Sequence, residues 1–264
     1  RDDLVTGVQT CALPILSFAY GKEAVGGSQG SENAPLVLKH FNLDVSPGET
    51  IAIVGRTGSG KSTIARLLMR FYELQGGKIS LDGNDIRSVT QASLRSAISL
   101  VPDEPFLFST SVHENISYGK PNASRAEVEA AARAAQAHEF IVELEDGYDT
   151  VVGERGYDLS GGQRQRISLA RLFLSDPSVI ILDDSTSAID VEIEERIHGS
   201  LKELLRKRTT IVIAHRLSTI ALADRVVLVN DGQVIADGTH QQLLDTEPRY
   251  VETLAASLGE NDSW

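Results

Sequence analysis

The sequence predicts an α/β protein built on a doubly wound sheet, and three observations carry that expectation. Continuous apolar runs of strand length recur at 51–54, 98–101, 179–182, 211–214 and 226–229, as parallel strands buried on both faces require. Segments of helical periodicity lie between them, so strand and helix alternate along the chain. Near the N-terminus, 37–45 and 78–82 alternate apolar and polar residues instead, which marks strands with one wet face and hence an antiparallel flank.

In chain order, the polar Gly/Ser-containing stretch 26–35 reads as a loop between the first residues and the flank. The run 51–54 is the first core strand. Behind it Ile64, Leu67, Leu68 and Phe71 fall at i, i+3, i+4 and i+7, one apolar helical stripe. The stretch 125–145 is rich in Ala and Glu and favours helix, so about 89–177 is expected to be a mostly helical insertion between core strands. The runs 179–182 and 211–214 return to the sheet. The segment 226–230, the pair Asp231-Gly232 and the segment 233–236 read as a hairpin through a two-residue turn. No internal repeat is visible.

The 264 residues and 41% hydrophobic content suffice for one or two domains with a sizeable core. The net charge of −12, from 37 acidic and 25 basic side chains, repels phosphate backbones and argues against a general nucleic-acid binder. The single cysteine, Cys11, excludes an internal disulfide. No apolar run approaches the roughly 18–20 residues of a membrane-spanning helix.

Three motifs carry chemistry. The first is "IAIVGRTGSGKST", in which Gly55, Gly60, Lys61 and Ser62 match G-x-x-x-x-G-K-[ST] between an apolar strand and an amphipathic helix. In such a P-loop, Gly55, Arg56, Thr57, Gly58, Ser59 and Gly60 turn backbone N–H groups toward phosphate oxygens, and Thr63 follows in the first helical turn. Lys61 reaches the β- and γ-phosphates of a nucleotide, and Ser62 ligates Mg²⁺. The second motif is Asp183-Asp184 at the end of the run 179–182. Asp183 is expected to hold Mg²⁺ and Asp184 to orient the attacking water. The third is "LSGGQRQR", where Ser160, Gly161, Gly162 and Gln163 open a helix running to about Leu174. This is a second anion-ready helix N-terminus, so it is expected to close on ATP held by a partner subunit.

With these residues the chain resembles the nucleotide-binding domain of an ATP-binding cassette (ABC) transporter, over about 16–258. LSGGQ together with a P-loop is specific to that family. The resemblance implies a P-loop NTPase core of RecA-like type: a mixed sheet, an antiparallel β flank and an inserted helical subdomain. It also implies ATP and Mg²⁺ as ligands, Tyr20 as the aromatic that stacks on adenine, and 187–190 as a D-loop linking two sites of a dimer. His215 corresponds to the switch histidine at the γ-phosphate. The segment 153–156 before the signature resembles the X-loop of exporters. It and the Q-loop region, about 101–108, imply contact with the coupling helices of a transmembrane domain.

Two positions depart from the family pattern. Asp103 stands where the Q-loop usually carries glutamine, in "SLVPDEPFLF". It is shorter by one C–C bond, about 1.5 Å, yet it can still ligate Mg²⁺. Asp184 stands where the family usually has a catalytic glutamate. Both imply slowed hydrolysis, and a subunit that is the weaker half of a heterodimer, with Lys61 and His215 retained. The functional reading is an ATPase motor for efflux, at the cytoplasmic face of a membrane. The alternatives are a non-transport ABC ATPase of DNA repair, chromosome or ribosome, and an ATP-sandwich dimer that signals without turnover.

The stretch "VTGVQTCALPI" at 5–15 fits neither a signal peptide nor a membrane span. It matches the in-frame translation of a common short-read sequencing adapter. Residues 1–15 are therefore expected to be a non-native leader that packs poorly, joined to a gene truncated upstream, and 259–264 a short tail.

Overall fold

The computed structural model describes residues 11–20, 35–153, 156, 158–186 and 188–261. β1 (Cys11–Phe18) and β2 (Leu38–Val45) precede β3 (Thr50–Val54), which leads into α1 (Lys61–Leu68). β4 (Ser80–Leu81), β5 (Asn84–Asp85) and α2 (Gln91–Ala97) lead to β6 (Ile98–Val101). Then come α3 (Val112–Ser117), α4 (Arg125–Ala134), α5 (His138–Val142) and α6 (Gly161–Ser175). β7 (Val179–Asp183), α7 (Val191–Leu205), β8 (Thr209–Ile213), α8 (Leu217–Ile220) and β9 (Arg225–Asn230) return to the core. β10 (Gln233–Gly238), α9 (His240–Thr246) and α10 (Pro248–Asn261) follow.

The core sheet has the order β10–β9–β3–β8–β7–β6. It is parallel except for β10, which runs antiparallel to β9. A second, antiparallel sheet has the order β2–β1–β4–β5. Alternation along the buried core strands splits the apolar interior in two. Ile51, Ile53, Val179, Ile181, Ile211 and Ile213 point to a layer shared with α1 and the flanking sheet. Ala52, Val54, Ile180, Leu182 and Val212 point to the opposite layer, shared with α6, α7 and the inserted helices. Each fully buried Ile, Leu or Val contributes roughly 1.5–3 kcal/mol, so both faces hold the sheet that positions the strand-end residues.

The mixed α/β architecture predicted from the sequence is present, with four local corrections. β6 is an edge strand of the core sheet, paired with β7, so the helical insertion begins after Val101 and not at about 89. Phe71 does not extend the apolar stripe of α1: Arg70 is left-handed at φ 51°, its turn ends the helix, and Phe71 is 50% exposed. α10 runs on to Asn261, past the expected start of the tail. The fourth correction concerns the leader. Among its described residues, Cys11 and Leu13 are fully buried, and Cys11 pairs with Val45 and Leu81 across the sheet. Strand pairing uses backbone groups common to all residues, and apolar side chains two apart suit the inner face of the flank. Burial, with the Asp44 charge second, pushes the Cys11 thiol up to about 12, so it is an inert packing group. Residues 1–10, and all of the expected loop 26–35 except Pro35, lie outside the described residues.

The β9–β10 turn supports the phosphate loop. Asp231 and Gly232 have φ of 46° and 76°, the left-handed pair that a two-residue hairpin needs. The Gly232 N–H donates to Ser59 O at 3.1 Å, and its carbonyl accepts from the Lys39 N–H at 3.0 Å. A Cβ on Gly232 would stand 2.1 Å from Val37 O. Gly232→Ala is therefore expected to destabilise the fold by roughly 1–3 kcal/mol, read as a lower melting temperature in thermal denaturation.

Candidate functional site

The loop between β3 and α1 bends at Gly58 and Gly60, with φ of 81° and 104°, and Gly60 caps α1. Lys61, the first residue of α1, is only 5% exposed. Its Nζ donates to Gly55 O at 2.6 Å and to Arg56 O at 3.1 Å, so the ammonium sits inside the loop. Burial lowers its pKa, while the Asp183 and Asp184 charges act against that shift. The arrangement holds a cation and the N-terminus of a helix at one point, which suits a polyphosphate.

Burial raises the pKa of the Asp183 carboxyl at the end of β7, and the nearby Ser62 hydroxyl, one residue on from Lys61, acts against that shift. Asp184 is left-handed at φ 44°, and its N–H donates to Ile213 O at 3.2 Å. Burial first, then the Asp103 charge, pushes the Asp184 carboxyl up to about 6. Its Oδ1 is buried with no hydrogen-bond partner among the described residues. Ser62, Asp103, Asp183, Asp184 and His215 line one cavity of about 490 Å³. These are hard oxygen donors plus an imidazole, and the unpartnered Asp184 oxygen is already turned away from protein donors, so the set fits Mg²⁺. No three His, Cys, Asp or Glu side chains among the described residues converge into a metal cage. A cation here therefore needs further oxygens from phosphate and water.

Tyr20 follows β1 and lies against α1. Its hydroxyl is 2.9 Å from Thr63 Oγ1, and Arg66 Nη1 donates to it at 3.4 Å. Its ring packs edge-on to Phe18 and Tyr72.

The expected second cradle lies elsewhere. Ser160 caps α6 in a reciprocal pair: its hydroxyl accepts from the Gln163 N–H at 3.2 Å, and Gln163 Oε1 accepts from the Ser160 N–H at 2.8 Å. A Cβ on Gly162 would stand 2.7 Å from Ala188 O, so this glycine lets the 188–190 loop touch the helix. Ser160, Gly161, Gly162 and Gln163 are not among the residues lining the cavity of Ser62, Asp183 and Asp184. Ser187, Glu154 and Arg155 lie outside the described residues.

One buried acid at the site escaped the sequence reading. Glu194, in the first turn of α7, is 3% exposed. It accepts from Arg216 Nη2 at 2.7 Å, Thr186 Oγ1 at 2.8 Å and Ser218 Oγ at 3.2 Å. Arg216, which follows His215, also donates to Thr186 O at 3.0 Å. Glu194 thus fixes the turn that carries His215 against the turn after Asp184. An acid in a first helical turn ordinarily reads as a solvated dipole partner, so only its long-range contacts reveal the role.

An apolar groove runs beside the 102–108 loop, lined by Phe71, Leu100, Pro102, Phe106, Phe108 and Tyr118 among others. Phe71, Phe106 and Tyr118 are each at least half exposed there. Arg171 of α6 underpins it, donating to Phe106 O at 2.8 Å and to Asn115 O at 2.6 Å. Burial brings the Arg171 pKa down to about 10.

Comparison with known proteins agrees with this geometry. The family profile described as ABC transporter matches residues 38–187. The ATP-dependent lipid A-core flippase of Alkalilimnicola ehrlichii is 53% identical over 222 residues, which cover 83% of this chain and 37% of the flippase. The putative multidrug export ATP-binding/permease protein YgaD of Bacillus subtilis is 47% identical over 235 residues, 89% of this chain and 39% of that protein. A solved bacterial Atm1-family ABC exporter with ATP bound superposes with a TM-score of 0.89 at 41% identity, covering 97% of this chain and 43% of the exporter chain. The chain thus spans less than half the length of each of these relatives.

Proposed function

The chain belongs to the ABC transporter family, and from that premise we propose that it is the motor of an exporter, acting at the cytoplasmic face of a membrane on a transmembrane domain. The domain itself binds and hydrolyses ATP. The observation that carries the reading is the convergence around one loop and cavity of Lys61, Ser62, Asp103, Asp183, Asp184 and His215. Relatives named as a flippase and a multidrug exporter support export over a role in DNA repair, at chromosomes or on the ribosome.

In this mechanism Tyr20 meets the adenine, and Gly55, Arg56, Thr57, Gly58, Ser59 and Gly60 wrap the phosphates. Lys61 exchanges its two carbonyl partners for phosphate oxygens, with Thr63 behind it. Ser62 and Asp183, with Asp103, would hold Mg²⁺, which would supply positive charge to offset that of the transferred phosphoryl group. Asp184 orients water on the cavity side, and His215 faces the γ-phosphate. Ser160, Gly161, Gly162 and Gln163 close on the nucleotide of a second nucleotide-binding domain. Their helix N-terminus, with Ser160 exposed and the next three residues half-buried, lies outside the cavity of Ser62, Asp183 and Asp184 and supports that reading. The groove beside 102–108 receives the coupling helices, which is supported by its exposed aromatic rings, and the segment 153–156 is assigned the same role. Asp103 and Asp184 favour the weaker half of a heterodimer.

Single-turnover and steady-state ATPase assays on the purified chain test the reading. One phosphate per bound ATP, dependent on Mg²⁺ and slow in steady state, is the expected result. ATP bound without phosphate release favours a signalling dimer, and no binding at all removes the assignment.

A further inference from the structure

Gln165 lies on α6, two residues beyond the Ser160–Gln163 turn, and is 2% exposed. Its amide is engaged at both ends. Nε2 donates to Asp103 O at 3.1 Å, and Oε1 accepts from the Ala188 N–H at 3.0 Å. These partners belong to two different loops, one after β6 and one after β7, and Asp103 and Asp184 of those loops line the same cavity.

We propose that Gln165 is a positioning residue that ties both loops to the signature helix, so that a shift of α6 moves the two edges of the cavity together. The inference rests on the nucleotide reading above. A buried amide stays paired because each unsatisfied end costs a lost hydrogen bond with no water to replace it. The 188 loop also packs closely on α6, since a Cβ on Gly162 would stand 2.7 Å from Ala188 O. Gln165 adds the tie to Asp103 that this packing lacks. When Ser160 engages phosphate, the displacement of α6 therefore reaches Asp103 and the turn after Asp184 through one short side chain. Gln165 touches no reacting atom and acts through these loops.

The test uses the full chain and two variants. Gln165→Met keeps the length and removes the bonds to Asp103 and Ala188, whereas Gln165→Glu keeps the acceptor for Ala188 and loses the donor to Asp103. Amide hydrogen exchange is followed with and without Mg²⁺-ATP, beside kcat and KM. In the native chain ATP is expected to slow exchange at 55–62, 102–104 and 186–190. In Gln165→Met the protection stays at 55–62 and is lost at the other two segments, while kcat falls roughly tenfold with KM within twofold. Gln165→Glu loses the response at 102–104 and keeps it at 186–190. If Gln165→Met does not fold, that split response in Gln165→Glu decides the matter alone. Retained protection at both loops overturns the inference, as does a variant that changes only its melting temperature. Without nucleotide, 186–190 must already exchange faster in Gln165→Met than in the native chain; equal rates also overturn it. A native chain that shows no ATP protection at 55–62 instead removes the nucleotide reading.

Discussion

Lys61→Ala is expected to lower ATP turnover roughly 10²–10³-fold, the scale seen when one preorganised charge-stabilising donor is removed. The ammonium sits in the loop within 2.6 Å of Gly55 O, where desolvation disfavours its charge and the Asp183 and Asp184 carboxylates sustain it. That charge is worth little to the empty protein, because its partners there are two backbone carbonyls that water can satisfy once the side chain is gone. Its value appears when phosphate oxygens replace those carbonyls in a site with little water to screen them. The variant should therefore melt within a few degrees of the native chain without nucleotide, yet lose the rise in melting temperature that ATP produces by mass action. Turnover and the ATP-dependent melting shift together check this. Native turnover in Lys61→Ala refutes the assignment of the loop.

What was legible in the sequence was local. The phosphate loop could be read because its glycines, Lys61 and Ser62 are contiguous and flanked by a strand and a helix, and Asp231-Gly232 because a two-residue turn has few solutions. Asp103, Asp183, Asp184 and His215 could be read singly, as strand-end residues. Their convergence depends on the strand order β3–β8–β7–β6, which no periodicity specifies. Phe71 misleads because helical spacing does not report that Arg70 turns left-handed. Glu194 and Gln165 are inconspicuous for the opposite reason. Each looks like an ordinary polar helix residue, and each earns burial only through partners distant in sequence. Cys11 sits in a slot between two strands of the flanking sheet, and a short alternation of apolar residues is enough to fill it.

Asp184→Glu is expected to raise steady-state turnover roughly 10- to 100-fold with little change in KM. The backbone at Asp184 is held at φ 44° with its N–H on Ile213 O, so the main chain cannot advance to make up for a short side chain. The missing methylene is worth about 1.5 Å of reach, and Oδ1 has no partner among the described residues. Burial, then the Asp103 charge, pushes the carboxyl up to about 6. Only its ionised form can take a proton from the attacking water, so native turnover should rise as pH increases through about 6 and fall below it. Asp103→Gln removes the second cause, and the midpoint should move to lower pH. Asp184→Asn separates the two explanations for a slow site. If distance already disables Asp184, the amide costs little; if the carboxylate works as it stands, the amide costs at least as much as glutamate gains. Equal rates for the native chain and Asp184→Glu, with a large loss in Asp184→Asn, would mean a competent site, and the weak-half reading of this subunit would fall.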